Sequence, residues 1–337
     1  MVSLVTTRPG PVLREFELVD LLRARLAARR DDTRIGIGDD AAVLRPCPGH
    51  DLVATTDTLI SGRHFPDDTS AFDVGYKALA VNLSDVAAMG AEPAWLTVSL
   101  SAPSLSRDWC ERFIDGMQAA CRACPTGTPI DIVGGDTTRT DTLTISVTAL
   151  GQVAAGAAMH RAGAQAGQAI AVTGTLGDAA AGLRCWPQRA TASTAQTDLI
   201  KRLTRPDLRR GSALIGQATS AIDISDGLLA DLGHILAASG VGATIRLDAL
   251  PYSTALASVV PEAADRQRLQ ATGGDDYELC VTMPLDARPA LETALGCPLT
   301  VIGQVETRTG LRCLDGAGNV VAPDTLGAPG WDHFGMD

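Results

Sequence analysis

The sequence predicts an α+β protein of two mixed domains, and three observations carry that prediction. The chain has 337 residues, enough for two domains at roughly 150 residues each. Candidate strands and helices follow one another without regular βαβ alternation, which argues against a doubly wound sheet. The glycine- and alanine-rich stretch Gly151–Gly167 reads as the passage between domains, giving an N-terminal domain of residues 1–152 and a C-terminal domain of residues 153–337. Hydrophobic residues at 45% and charged residues at 20% supply material for cores and carry no signature of disorder.

In the first domain, Phe16, Leu18, Val19, Leu22 and Leu26 recur at helical spacing and predict an amphipathic helix over Val12–Arg29. Leu52–Thr56 is a short strand ending in Thr55-Thr56-Asp57. Asp73–Met89 is an Ala- and Leu-rich helix capped by Gly90. Trp95–Leu100 reads as a strand, Arg107–Cys124 as a helix and Ile130–Val133 as an apolar strand. Leu143, Ile145, Val147 and Ala149 alternate with Thr144, Ser146 and Thr148, the pattern of a half-buried antiparallel strand over Leu143–Val153. In the second domain a strand (Ala169–Thr173) and a helix (Gly177–Cys185) precede a polar loop, Trp186–Gln196. A strand at Ala221–Ile224 runs into Ser225-Asp226-Gly227, and the helix Leu228–Ala238 follows, closed by Gly240. Ala243–Leu247, Glu278–Thr282, Leu299–Val305 and Leu311–Leu314 read as further strands.

The formal net charge is -11, which argues against binding to nucleic acid or an anionic membrane. Lys77 and Lys201 are the only lysines; they follow Tyr76 and Ile200, so no Walker A loop exists. No apolar run approaches the roughly 20 residues of a membrane span. The first thirty residues, interrupted by Arg8, Arg14, Glu15, Glu17 and Asp20, contain no secretory apolar core. A cytoplasmic location with reduced thiols is expected. Cys121 and Cys124 form a lone CxxC without a second pair or a nearby His, and are expected to be packing cysteines.

Aspartates recur beside Gly, Ser or Thr in six short segments: Gly38-Asp39-Asp40, Thr55-Thr56-Asp57, Asn82-Leu83-Ser84-Asp85, Gly134-Gly135-Asp136-Thr137-Thr138, Asp223-Ile224-Ser225-Asp226 and Gly273-Gly274-Asp275-Asp276. Read as turns, several of them place a carboxylate at the end of an apolar strand, where open-sheet sites lie. Carboxylates with hydroxyls are hard oxygen ligands, suited to Mg²⁺ and not to Zn²⁺. Mg²⁺ takes one or two carboxylates per ion and completes its shell with water and phosphate. Six such segments therefore fit several ions bound with a polyphosphate, and an acidic protein needs those ions to hold an anion. The alternative is ordinary turn punctuation, with Asp226 capping the helix that starts near Leu228. Arg139 and Arg161, each after small residues, are candidate phosphate handles. His64, in Ser61-Gly62-Arg63-His64-Phe65, reads on its own as a hydrogen-bonded structural histidine.

At these residues the sequence resembles the thiamine-monophosphate kinase family, in the superfamily that also holds aminoimidazole ribonucleotide synthetase and selenophosphate synthetase. The matching blocks are Gly36–Ala42, Thr55–Leu59, Lys77–Gly90 (KALAVNLSDVAAMG), Gly134–Arg139, Val172–Leu183, Ile222–Leu228 (IDISDGL), Gly273–Leu279 (GGDDYEL) and Gly330–Phe334, in family order. The resemblance implies two α+β domains of the aminoimidazole ribonucleotide synthetase-like type, with the active site in the cleft between them. It also implies a homodimer joined through its N-terminal domains, and ATP bound with several Mg²⁺ ions. Carried over residue by residue, Asp40, Thr55, Thr56, Asp57, Asp85, Asp136, Asp223 and Asp226 match metal ligands. Gly135, Asp136, Arg161 and Ser225 match ATP contacts, and His64, Asp275 and Trp331 match contacts to thiamine monophosphate. Two departures lie on the substrate side: Asp275 stands where Glu is commoner, and Trp331 where Tyr or Phe is.

The implied activity is Mg²⁺-dependent phosphorylation of thiamine monophosphate by ATP, giving thiamine diphosphate by direct in-line transfer, with no protein nucleophile or base assigned. A phosphate monoester is already anionic near neutral pH and needs no base. Selenophosphate synthetase is set aside because no Cys precedes Cys47 and no Lys precedes Lys77. Aminoimidazole ribonucleotide synthetase and a non-catalytic Mg²⁺–nucleotide module remain as alternatives.

Overall fold

In the computed structural model, described over residues 13–327, each half of the chain builds its own sheet. The first half runs α1 (Glu15–Arg25), β1 (Thr33–Ile35), β2 (Val43–Leu44), β3 (His50–Ile60), α2 (Ala71–Ala88), β4 (Glu92–Ala102), α3 (Arg107–Ala123), β5 (Asp131–Arg139) and β6 (Thr144–Ala154). Four strands form a sheet of order β3-β6-β4-β5, and β1 pairs with β2. The expected alternation in β6 holds: Ile145, Val147 and Ala149 are buried, and Ser146 and Thr148 keep some exposure. The buried set packs against α2 and α3 in one core with Leu79, Leu83, Phe113 and Ile114. The helices approach closely where they cross. A Cβ on Gly75 would lie 2.1 Å from the Phe113 carbonyl oxygen, and one on Gly116 would lie 1.9 Å from that of Phe72.

Towards one end of its other face this sheet packs Trp95 and Leu150 with Ala42 and Leu44, the Trp95 indole N–H donating to Thr33 Oγ1 of β1 at 3.0 Å, and register fills the rest of that face with small hydroxyls. Thr58, Ser146, Ser99 and Asp136 align across the strands; Thr56, Thr148, Thr97 and Gly134 form the next row.

The second half runs β7 (Ala169–Thr173), α4 (Asp178–Cys185), α5 (Thr194–Thr204), β8 (Ser220–Asp223), α6 (Leu228–Ser239), β9 (Gly242–Arg246), α7 (Thr254–Val259), α8 (Ala263–Thr272), β10 (Leu279–Met283), α9 (Arg288–Leu295), β11 (Leu299–Glu306), β12 (Gly310–Leu314) and β13 (Val320–Val321). Its seven strands lie in the order β13-β12-β9-β11-β7-β10-β8, antiparallel except for β12 beside β9. Both faces are covered. Ile170, Val172 and Ile222 pack with Leu228 and Leu232 of α6, and Ala171, Ala221 and Val281 pack with Leu291 and Leu295 of α9. Strands buried on both faces read as continuous apolar runs, as β7 and β10 do.

Helix α2 lies between the two halves. Only Phe72, Asp73 and Asp85 of its 18 residues escape full burial, because the second domain covers what the sheet does not. Arg205 pairs with Asp73 and stacks over Phe72, and the Trp186 indole N–H donates to Asp68 at 2.8 Å.

Several expectations are corrected. The strand expected to end at Thr56 continues to Ile60, so Asp57 lies inside it. The glycine-rich Gly134–Arg139 segment is not a turn but the continuation of edge strand β5. Asn82–Asp85 is helix interior. The end of the polar loop Trp186–Gln196 forms the start of α5, because Ser193 and Gln196 make a capping box. The expected helix from Val12 is described from Glu15, ends at Arg25, and Val12 itself lies outside the described residues. Gly90, by contrast, closes α2 at φ +72, donating to the Ala87 carbonyl at 2.9 Å. All eight cysteines are unpaired, and burial pushes the Cys121 and Cys124 thiols up to about 12, so they remain protonated packing groups. Among the described residues no helix is long and apolar enough to cross a membrane.

Candidate active site

The seam along α2 gathers most of the residues expected to act. A strand places alternate side chains on one face, so Thr55 and Asp57 of β3 both face α2 while Thr56 faces away. The Thr55 hydroxyl donates to Asp85 at 2.6 Å, and the Asp57 backbone N–H donates to Asn82 Oδ1 at 3.1 Å. From the other domain, Asp223 at the end of β8 accepts from the Ser84 hydroxyl at 2.8 Å. Three carboxylates thus crowd at the domain seam. Burial, and then the charge of Asp85, push Asp57 up to about 6. Asp85 and Asp223 are both raised by burial; the charge of Asp85 adds to the shift at Asp223, while the Thr55 hydrogen bond and the Arg161 guanidinium oppose it at Asp85.

The loop after β8 is held by a residue the sequence reading did not single out. One oxygen of Asp231, in the first turn of α6, accepts from the backbone N–H of Ser225, Asp226 and Gly227 at 3.0, 3.1 and 3.1 Å. Burial and then the Asp226 charge push Asp231 up to about 6, against those three donors. Asp226 therefore does not cap α6, as the turn alternative had it: Gly227 occupies that position, and the Asp226 backbone is itself the donor.

The Gly273–Leu279 segment divides its work residue by residue. Asp275 and Tyr277 hold φ of +68 and +51, each costing roughly 1–2 kcal/mol in a non-glycine residue. Their N–H groups are fixed on the Ser225 and Ile224 carbonyls at 2.8 Å. Asp275 Oδ1 accepts from the Tyr277 hydroxyl at 3.1 Å and pairs with Lys77 Nζ at 3.0 Å. Asp276, buried, accepts from Gly177 N–H at 2.7 Å and so holds the start of α4. Glu278, fully buried, accepts from Thr173 at 2.6 Å, Arg202 at 2.8 Å and Arg209 at 2.6 Å. Lys77 Nζ also donates to the His64 carbonyl at 3.1 Å. The His64 ring accepts at Nδ1 from the Ile60 N–H at 3.0 Å, so a neutral ring carries its proton on Nε2.

Thr55, Asp57, Asp85, Arg161, Asp223, Ser225, Asp226, His64 and Asp275 therefore lie along one seam. Five other residues do not join it. Asp40 sits in an exposed loop, its N–H on Asp39 at 2.9 Å. Thr56 and Asp136 face the open side of the sheet, Asp136 accepting from Thr137 N–H at 2.8 Å. Gly135 has a backbone reason for its identity, since a Cβ there would lie 1.9 Å from the Val98 carbonyl oxygen. Arg139 is exposed at the end of β5. Trp331 lies outside the described residues.

Among the described residues no three His, Cys, Asp or Glu side chains converge to hold a metal ion by themselves. The oxygen donors present at the seam, Thr55, Asp57, Asp85 and Asp223, are of the hard type that Mg²⁺ takes, with phosphate and water filling the rest of its shell. Crowded carboxylates whose pKa values are raised by burial and by one another form a donor set that favours a hard cation.

Two family models cover most of the chain: AIR synthase related protein, N-terminal domain, over residues 38–153, and its C-terminal domain over residues 165–315. Thiamine-monophosphate kinase of Escherichia coli strain K12 is 45% identical over 328 residues, 95% of this chain and 98% of that protein. The crystal structure of thiamine-monophosphate kinase from Stenotrophomonas maltophilia K279a is 48% identical, with a TM-score of 0.82 over 92% of this chain and 99% of that one. The structure of AaThiL complexed with AMPPCP and TMP is 33% identical, with a TM-score of 0.75 over 95% of this chain and 97% of that one. Motif order, two-domain α+β fold and full-length similarity agree: the chain belongs to the thiamine-monophosphate kinase family.

Proposed function

We propose that this chain transfers the γ-phosphate of ATP to thiamine monophosphate, giving thiamine diphosphate and ADP, the last step of thiamine diphosphate synthesis. The observation that carries this reading is the layout of α2, which has carboxylates for a metal-bound polyphosphate around Asp85 and an anchored carboxylate for a cationic acceptor beside Lys77. A relative 33% identical that was captured with AMPPCP and TMP supports a site taking both ligands.

Thr55, Asp57, Asp85 and Asp223 hold Mg²⁺ in this reading, with Asp226 beside them; Asp40, Thr56 and Asp136, which lie off the seam, belong to the proposed set by the family resemblance alone. When bound, the ions neutralise the phosphate oxygens. Arg161, beside Asp85, is placed to take a phosphate oxygen pair. Ser225, on the loop pinned by Asp231, and Gly135 and Asp136 on β5 are the remaining nucleotide contacts. His64 offers its Nε2 proton, and Asp275 its carboxylate, to thiamine monophosphate, with Trp331 on the same side. No protein group serves as nucleophile or base: the acceptor phosphate arrives ionised, and the residues bind and orient it for in-line attack.

The domain boundary is placed after residue 152, near the end of β6. A homodimer joined through the N-terminal domains is proposed with it, supported by the exposed hydroxyls of the four-stranded sheet, Thr56, Thr58 and Thr138 among them. A cytoplasmic location accords with eight unpaired cysteines. The test is incubation with ATP, Mg²⁺ and thiamine monophosphate, with thiamine diphosphate as the expected product. ATP turnover that ignores thiamine monophosphate overturns the reading.

A further inference from the structure

We propose that Lys77 is a positioning residue for the phosphate acceptor, acting through Asp275. The inference rests on the reading that Asp275 contacts thiamine monophosphate. In the sequence Lys77 opens one family block and helps to exclude a Walker A loop and selenophosphate synthetase, but carries no role in the reaction.

Lys77 is 2% exposed, and burying an ammonium costs several kcal/mol unless it is paired. Its two partners come from the two sides of the seam: the His64 carbonyl at 3.1 Å in its own domain, and Asp275 Oδ1 at 3.0 Å in the other. One side chain thus touches both His64 and Asp275, two of the residues expected to meet the substrate. The Tyr277 hydroxyl approaches the same Oδ1. The Lys77 ion pair and the Tyr277 hydrogen bond both engage Oδ1, and Oδ2 has no hydrogen-bond partner among the described residues. The Asp275 side chain keeps 33% of its surface exposed, so that second oxygen is available to a ligand. The backbone there is committed too, at φ +68 with its N–H on Ser225. An anchored carboxylate with one free oxygen is suited to a cationic ring or to an amine donor, both of which thiamine carries.

Lys77 also sets spacing. It precedes Asp85 on one unbroken helix by eight residues, about 12 Å of rise. The acceptor's anchor and the crowded carboxylates are thereby held at a fixed separation by a helix buried on nearly every side.

The test is a double-mutant cycle in the full-length protein with ATP, Mg²⁺ and thiamine monophosphate, using K77M, D275N and the pair. K77M should raise KM for thiamine monophosphate about tenfold while KM for ATP stays within about twofold. The double variant should be no worse than D275N alone, because Lys77 acts through that carboxylate. K77R should recover most of the loss. Equal shifts in both KM values, or multiplicative effects in the double variant, overturn the proposal and leave Lys77 a structural cation. If D275N raises KM for thiamine monophosphate and K77M does not, the inference about Lys77 fails alone. If D275N has no effect, the substrate-side reading of Asp275 fails, and with it the inference. Should K77M not fold, K77Q takes its place; failure of both to fold assigns Lys77 to structure and also overturns the proposal.

Discussion

Ser84 of α2 donates a 2.8 Å hydrogen bond to Asp223, tying the central helix of one domain to the edge strand of the other domain's sheet. Asp223 is 5% exposed, and burial already raises its pKa, so this hydroxyl is one of few groups relieving it. The bond therefore links interdomain stability to the carboxylates proposed to bind metal.

Ser84→Ala leaves that buried carboxylate short of a donor. The cost expected is about 1–3 kcal/mol, seen as a fall of several degrees in the unfolding midpoint. An unchanged midpoint, measured by thermal denaturation, would mean that Asp223 finds another donor and that the seam does not depend on Ser84.

Asp57→Asn should abolish turnover without lowering the unfolding midpoint. The substitution removes one of several crowded carboxylates, so it relieves repulsion while removing a charged ligand. Asp136→Asn, on the open face, should likewise abolish turnover if the proposed metal set extends to β5. Near-normal rates with Mg²⁺ in both variants would sink the assignment of these aspartates to metal binding.

Glu278→Gln is expected to be the most damaging of these changes to the fold. Glu278, fully buried, pairs with Arg202 and Arg209, which keep some exposure and share the exposed Asp207 as a second partner. Removing one partner of a buried ion pair costs about 3–5 kcal/mol, and because both arginines keep Asp207 the expected loss lies at the lower end of that range. The variant should unfold well below the parent in a denaturant titration, and a midpoint within experimental error of the parent contradicts the role given to this pair.

How legible all this was in the sequence depended on how local the cause is. Gly90, Gly240 and the alternation in β6 answer to neighbours a few residues away, and they were read correctly. Asp57 was mistaken for a turn residue because polar residues in a strand look like a strand end when the open face also carries Thr and Ser. The start of α5 was missed because its polar first turn hides the capping signal of Ser193 and Gln196. Glu278 acts on partners that the fold brings in, Thr173, Arg202 and Arg209, roughly 70 to 105 positions away, whereas Asp231 acts locally, on backbone N–H groups four to six residues upstream that no side-chain pattern marks. A Glu opening an apolar strand, as at Glu278-Leu279, and an Asp in the first turn of an apolar helix, as at Asp231, were the available signals. Both are acids set among apolar neighbours, where a charge needs a partner.

The last expectation is that phosphate passes directly from ATP to the acceptor, without a phosphorylated enzyme. Aspartyl and histidyl phosphates occur in other enzymes, so an aspartate-rich seam does not by itself exclude one. The candidates here are otherwise engaged. Lys77 donates to the His64 carbonyl and pairs with Asp275, and an ammonium has no lone pair. The His64 Nδ1 lone pair accepts from the Ile60 backbone, and a neutral ring places the proton on Nε2, leaving no free nitrogen to attack phosphorus. Asp85 accepts from Thr55 and Asp223 from Ser84, and metal binding would lower their nucleophilicity further. The acceptor needs no activation, since its phosphate oxygens are ionised near neutral pH. One in-line displacement inverts configuration at the γ-phosphorus and two displacements retain it. Chirally labelled ATP should therefore give inversion, and retention, or an acid-labile phosphoenzyme trapped in the presence of ATP alone, would overturn direct transfer.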